Sequence, residues 1–397
     1  MNGRRTAICI IVENLPVPFD RRVWQEARAL HQAGYQVSVI CPKGHGFERS
    51  RETLEGIDIY RHRIWEASRP SGYLLEYGWA LAAEFGLALK IYGKTRFRIL
   101  QACNPPDLIF IIGLLFKLLR VRFIFDHHDL NPELYEAKFG HRGLIYKIVC
   151  VAESLSFEVA DVSIAPNQSF RDLAVTRGRM KPGRVFMVRS SPELGKVRRL
   201  PPDPALKEGR KHLVVYVGVM GAQDGVDLLL ESIAHIATSA KRGDVLFAII
   251  GSGTELHRIK TLATHKGLNS LVRFTGRLYG DPLHAYLSTA DVCVAPDPVN
   301  VFNDKLTMNK VLEYMAFGKP VVLYDLVEGR RSAGECALYA RANDPADFAT
   351  QILKLLDSEM LRHELGECGR RRIESYLNWE HDKLALLEAY QTALSAP

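Results

Sequence analysis

The sequence of 397 residues is short of several features that would each have fixed its class. It has no Cys-x-x-Cys pair. Its seven cysteines (Cys9, Cys41, Cys103, Cys150, Cys293, Cys336, Cys368) stand far apart in apolar runs. That pattern predicts buried thiols in a reducing compartment rather than bridges or a zinc cluster. No Gly-x-Gly-x-x-Gly follows the first apolar run, so a nicotinamide dehydrogenase loses most of its support. The longest apolar stretch, Leu108–Leu119, contains Lys117 and is shorter than the roughly 20 residues a membrane-spanning helix needs. No pattern resembles a zinc finger, an aromatic-studded RNA-binding sheet or a basic zipper, and no nucleic acid is expected as a partner. Met1–Arg5 runs straight into a short apolar segment without a small-residue cleavage site, which reads as a cytoplasmic chain without a signal peptide.

What is present is an ordinary globular composition, 47% hydrophobic and 24% charged. At roughly 150 residues per domain, it fits two domains or three. The charge is uneven: residues 1–200 carry 30 Lys and Arg against 20 Asp and Glu, residues 201–397 carry 22 against 25. A basic first half can face an anionic membrane surface or a phosphorylated substrate, or simply be a solvated face.

Ala7–Val12 is a continuous apolar run rich in β-branched residues and reads as a buried parallel strand. Arg21–Ala33 carries Val23, Ala27 and Leu30 at helical spacing, and Tyr35–Cys41 is the next strand. This strand–helix–strand unit opens a doubly wound sheet. Ile57–His62, Arg98–Ala102, Arg122–Asp126 and Val162–Pro166 continue as strands, with helices over Ser71–Tyr92 and Leu144–Ala160. Pro192–Arg210, rich in Pro, Gly and basic residues, reads as a linker. Strand–helix alternation then begins afresh at His212–Val219. The spacing predicts an α/β protein of two Rossmann-like, doubly wound parallel-sheet domains facing an interdomain cleft. Their expected bounds are 1–195, 196–378 and a terminal helix, 379–397, crossing back to the first.

Asn303–Tyr324 is the most informative segment. Thr307 can cap a helix starting near Met308, and the first-turn amides of Met308, Asn309 and Lys310 would form an anion site to which Lys310 adds a charge. Glu313, one turn deeper, can accept from the vicinal hydroxyls of a ribose, or can be a helix-surface residue paired with Lys310.

This segment resembles the C-terminal signature of glycosyltransferase family 4, the retaining GT-B enzymes, which reads roughly Glu-x7-Glu followed by Ala-x-Gly-x-Pro-Val-Val. Other fragments fall in the family's order: Arg21-Arg22-Val23-Trp24, Asp126-His127-His128-Asp129-Leu130 with Pro132-Glu133, Tyr216-Val217-Gly218, Gly251-Ser252-Gly253, Phe274-Thr275-Gly276 and Ala290-Asp291-Val292. Asp325–Arg331 is similar to a subgroup acting in bacterial polysaccharide assembly. The resemblance implies a GT-B fold and transfer of a hexosyl unit, with retention, from a nucleotide sugar to a hydroxyl of a glycan or polyprenyl-diphosphate-linked acceptor. It places the nucleotide ribose on Glu313.

Two departures from the family stand out. The first carboxylate of the pair would fall at Lys305, with Asp304 just before it, so either Asp304 orients the sugar or Lys305 meets diphosphate; both can also be solvated loop charges. The loop Gly218–Gly225 lacks the family's Arg and Lys. Backbone amides around Gly218, Met220 and Gly221 would then approach phosphate, with Arg277, Arg189, Lys305 or Lys310 supplying charge, unless the glycines serve only a tight turn.

In the first half, the family match puts His128 beside the reacting sugar, with Asp129 orienting its ring. Arg21 and Arg22 would face an acceptor pyrophosphate, or pair with Glu26 along the helix. Glu133 would sit on the acceptor side or merely start a helix. Two His flanked by two Asp can bind a metal, but adjacent histidines rarely converge on one ion, and the Asp-x-Asp motif of the other glycosyltransferase architecture is missing. Neither metal nor cofactor is expected.

Arg61, Arg63, Arg69, Lys90, Lys94, Arg96 and Arg98 flank helix Ser71–Tyr92, which predicts either peripheral contact with an anionic membrane at the inner face of the cell or plain core packing. A nucleotide-sugar 2-epimerase and a non-catalytic sugar-nucleotide-binding homologue share this fold and stand as alternatives.

Overall fold

The computed structural model describes residues 5–63 and 73–395, the side chains of 73–77 excepted. Arg69 and Ser71, named above for the basic flank and its helix, lie outside the described residues, as do residues 1–4. The chain divides into two units, Met1–Ser190 with Asp382–Pro397, and Ser191–His381.

The first unit holds the strands β1 (Ala7–Ile11), β2 (Gln36–Pro42), β3 (Arg51–Leu54), β4 (Ile57–His62), β5 (Ile99–Cys103), β6 (Arg122–Asp126), β7 (Val162–Ala165) and β8 (Val185–Met187). Their order across the sheet is β3-β4-β2-β1-β5-β6-β7-β8. Every pairing is parallel except the β3–β4 hairpin. Between them run α1 (Arg21–Gln32), α2 (Tyr73–Thr95), α3 (Phe110–Lys117), α4 (Asn131–Phe139), α5 (Leu144–Val159) and α6 (Gln168–Thr176). All five residues of β1 are buried, as a central parallel strand covered on both faces requires. Asp20 caps α1 by accepting from the Val23 amide.

The second unit repeats the plan with β9 (His212–Val217), β10 (Val245–Ile250), β11 (Val272–Gly276), β12 (Val292–Ala295), β13 (Val321–Tyr324) and β14 (Ala337–Ala340). The sheet is all parallel, in the order β11-β10-β9-β12-β13-β14. Its helices are α7 (Val226–Thr238), α8 (Leu256–His265), α9 (Asp281–Thr289), α10 (Asn309–Ala316), α11 (Val327–Ala333), α12 (Pro345–Asp357) and α13 (Glu359–Ser375), and α14 (Trp379–Leu394) ends the chain. Two apolar clusters, one per sheet face, form its core.

Three expectations need correction. The stretch read as a free linker is docked onto the second unit: Leu194, Val197 and Leu206 pack on its core, and the Leu200 and Asp203 amides donate to Ser288 and Thr289. The division therefore falls at Ser190/Ser191 rather than at 195/196. Cys336 and Cys368 form a disulfide, against the expectation of free thiols throughout, because the turn before β14 and helix α13 bring their Cα atoms to 5.2 Å. The other five cysteines are free.

Candidate functional site

In an open parallel sheet, ligands bind beyond the carboxyl ends of the strands, where the strand order reverses. In the second unit that point lies between β9 and β12, so the loops 218–225 and 296–308 flank it. They are tied together: the Asn303 amide group donates to the Gln223 and Pro298 carbonyls. Gly225 (φ +65°) approaches so closely that an added Cβ would meet the Pro296 carbonyl oxygen at 2.0 Å.

Helix α10 starts here with Met308, not Thr307, at its N-cap, and the N-cap side chain makes no capping hydrogen bond. The positive end of its dipole suits an anion. Glu313 is half-buried one turn in. Asn309 is exposed at the helix start.

Lys310 does not extend toward such an anion. Its ammonium bonds Asp297 Oδ1 at 2.7 Å and lies 4.9 Å from the centre of the Tyr216 ring. Burial lowers its proton affinity, but Asp297 outweighs this and holds it above the usual lysine value. The glycine-rich loop also departs from expectation. The Gly218 amide donates to Ile250, that of Met220 to Ser252, and that of Gly221 to Asp224 Oδ2, so these three amides are already spent. The Met220 side chain is wholly buried in the core. Arg277 remains an exposed cation, its Nε 2.6 Å from Ser252 Oγ. Asp304 accepts from the Val327 amide at the start of α11, and Lys305 donates to the Val301 carbonyl.

In the first unit a charged cluster gathers past the ends of β5 and β6. Arg22, at the start of α1, bonds Asp126 Oδ1 at 3.0 Å and the Val188 carbonyl at 2.8 Å. Its Nε lies 2.9 Å from His128 Nε2, which is also 2.9 Å from Asp126 Oδ2. Gln101 donates to Glu26 and to Asp126 Oδ2, and receives the Tyr390 hydroxyl at 2.5 Å. Burial alone would raise Asp126, but Arg22 and His128 hold its carboxyl well below the usual range. Glu26 is pushed up to about 7, by burial first and by the charge of Asp126 second. Burial draws the His128 ring down, yet the Asp126 carboxylate overrides it and the net shift is upward. A guanidinium can only donate, so the shared Nε2 must choose between accepting from Arg22 and carrying a proton for Asp126.

His128 keeps an exposed edge, its side chain 14% accessible. Asp126, not Asp129, orients it; the Asp129 backbone is held by Asn104. Arg22 is half-buried and engaged rather than free at the surface, whereas Arg21 is exposed. Arg189 bonds Asp382 on the last helix. Glu133 is paired with Arg177, which also binds Glu153, and Glu153 lies 3.2 Å from the buried His127. His127 and His128 thus point apart. Cys103, Asp126 and His128 could offer ligand atoms within 4.8 Å of one another, but Arg22 and Gln101 already occupy the same carboxylate. Elsewhere in the same unit, a cavity of about 620 Å3 is lined by Asn14, Lys43, His45, Glu48 and Arg63. Arg22 does pair with Glu26 along the helix, at 3.3 Å, but on its buried side. Sequence reasoning missed Gln101, Asp297 and Tyr390; the one available signal was polar residues inside otherwise apolar strand and helix faces.

Comparison with known proteins follows this division. Residues 20–190 match the family described as "Glycosyl transferase 4-like domain", and residues 211–358 match "Glycosyl transferases group 1". An uncharacterized glycosyltransferase of Methanocaldococcus jannaschii is 27% identical over 190 residues, 46% of this chain and 49% of the relative. That match spans about half the length of the relative. Sucrose-phosphate synthase from Thermosynechococcus elongatus superposes with a TM-score of 0.81 at 20% identity, covering 99% of this chain and all of the other. HepE of Anabaena, solved in complex with UDP and glucose, gives 0.74 at 13% identity, with 97% and 99% covered.

Proposed function

The chain belongs to the glycosyltransferases of the family 4 type, built from the paired parallel-sheet domains of the GT-B fold, and from that premise we propose how it works. The second unit holds a nucleotide sugar, with diphosphate at the start of α10 and the ribose hydroxyls on Glu313. The observation that carries this reading is an α10 N-terminus without a side-chain cap, one turn from a half-buried carboxylate, at the reversal point of the sheet. A relative in fold that binds UDP and glucose supports it.

A hexosyl unit then passes with retention to an acceptor hydroxyl held by the first unit. Charge builds on the leaving diphosphate, and donors fixed in advance around it supply the dominant stabilisation. Since Lys310 is spent on Asp297, the helix amides and Arg277 carry that task. The departing phosphate oxygen takes the hydroxyl proton on the same face, and His128 orients the sugar through its exposed edge. No metal takes part in this reading. The cavity with Lys43, His45 and Arg63 receives a phosphorylated acceptor such as a lipid-linked glycan, in place of Arg22, which Asp126 engages. The chain works at the inner face of the cell membrane.

The test is calorimetry with UDP-, GDP- and ADP-sugars. One of them binds, and Glu313→Ala weakens it tenfold or more without lowering the thermal midpoint. Equal binding by E313A, or no binding by any of the three, overturns the reading.

A further inference from the structure

No described helix is long and apolar enough to cross a membrane. Yet the first unit exposes a concentration of large apolar side chains. On α5, Leu144, Ile145, Ile148 and Val151 recur at helical spacing and are each more than half exposed, Leu144 at 74%. Its opposite side buries Ala152, Glu153, Ser156 and Phe157. Helix α3 and its exit do the same: Ile112, Gly113 and Phe116 are buried, while Ile111, Leu114 and Leu118 face outward. Both helices pack on β6 and on each other, so their outward faces adjoin. Phe139, at the end of α4, lies beside the start of α5 and is also exposed. A face this rich in apolar atoms is beyond what solvent-facing helices normally carry.

The charges at its α4–α5 end are mainly basic, and the exposed Glu158, at the far end of α5, is the exception. Lys138 lies over the Phe139 ring and Arg142 over the Tyr146 ring, at the corner where α4 meets α5. Arg120 and Lys147 are exposed on the same two helical segments. The acidic residues between Leu108 and Val151 are withdrawn: Asp126 and Glu133 are buried and paired, Asp129 is half-buried, and Glu136 is engaged by Arg142. An apolar face fringed by Lys, Arg and aromatic rings matches a bilayer bearing anionic headgroups, whose interface takes the rings and whose surface charge attracts the cations.

We propose that the outward faces of α3 and α5, with the α4–α5 corner, form the surface by which this protein docks on an anionic membrane. This differs from the α2 flank to which the sequence pointed. It rests on the reading of a lipid-linked acceptor only for its purpose, not for its observations.

Flotation with vesicles of phosphatidylcholine and phosphatidylglycerol tests it. The full chain is expected to float with them at low salt, to be released by added salt, and to ignore phosphatidylcholine alone. Leu144→Glu/Ile148→Glu should lose at least tenfold in binding, and Lys138→Glu/Lys147→Glu should lose roughly fivefold per residue. Leu384→Glu, at an exposed leucine of the last helix, should change nothing. Nucleotide-sugar binding in solution should be equal in every variant, which separates failure of this proposal from failure of the transfer reading. Absence of flotation at low salt, or full flotation by L144E/I148E, overturns it. So does a dimer, seen by light scattering, that Ile148→Glu dissociates.

Discussion

Each unit keeps a carboxylate–cation pair at the end of a parallel strand, but the two pairs are surrounded differently. Asp126 is shared among Arg22, His128 and Gln101, with Glu26 close behind, and one edge of His128 reaches solvent. Asp297 has Lys310 and the Tyr216 ring, and its Oδ2 finds no hydrogen-bond partner among the described residues. The first arrangement has several protonation states within reach; the second has one. Polarity in the second unit comes instead from backbone, through a helix end and glycines that let loops touch.

Double substitution breaks the comparison most sharply. Removing one member of a buried ion pair costs about 3–5 kcal/mol, because the survivor is left uncompensated. Lys310→Met and Asp126→Ala should each cost about that much in urea denaturation. Lys310→Met/Asp297→Leu should recover most of the loss, since both buried charges leave together. Asp126→Ala/Arg22→Ala should not, because Glu26 and His128 keep their charges. Recovery of both to the same degree would show that the clusters are equivalent.

Glycine substitutions give the next effect. Gly225→Ala should cost about 2–3 kcal/mol, since it combines a left-handed backbone with a clash on Pro296. Gly34→Ala in the first unit, φ +94° but with open space around its Cβ, should cost about 1 kcal/mol. Thermal midpoints of the two variants check the ranking.

A third test is a pH slope confined to the first cluster. Glu26 is raised from 4.5 to about 7, so the folded chain binds its proton more tightly than the unfolded chain. The stability this contributes is complete below pH 4.5 and is lost as pH rises toward about 7, by at most about 1.4 kcal/mol per pH unit. His128, also raised, adds a loss of the same sign at higher pH. Asp126, held low, acts oppositely and only in acid. Glu26→Gln should flatten the slope between pH 4.5 and 7; an unchanged slope places the proton elsewhere.

The alternation of strands and helices was legible because buried parallel strands are continuous apolar runs, as in Ala7–Ile11 and Val245–Ile250. Edge strands of three or four residues, Arg51–Leu54 and Val185–Met187, carry too few positions to show a period. Lys310 was legible as a cation near the helix start, but not that Asp297, 13 positions upstream, folds back to claim it. The motif around His128 was found with the wrong partner: Asp129 follows it, yet Asp126 closes β6 and shares its ring nitrogen. Glu26 fits the helical repeat of the buried Val23 and Leu30, and a carboxylate on an apolar stripe was the overlooked sign of the cluster.

The Tyr390 hydroxyl that secures Gln101 comes from 289 positions farther along the chain. During synthesis the first unit leaves the ribosome long before that hydroxyl exists, and the second unit is made in between. The nascent first unit must therefore wait with Gln101 half-anchored, and with Glu26 and Asp126 less firmly held apart, until the terminal helix emerges. A ribosome stalled just short of α14 would display a sheet whose polar centre is still unfinished.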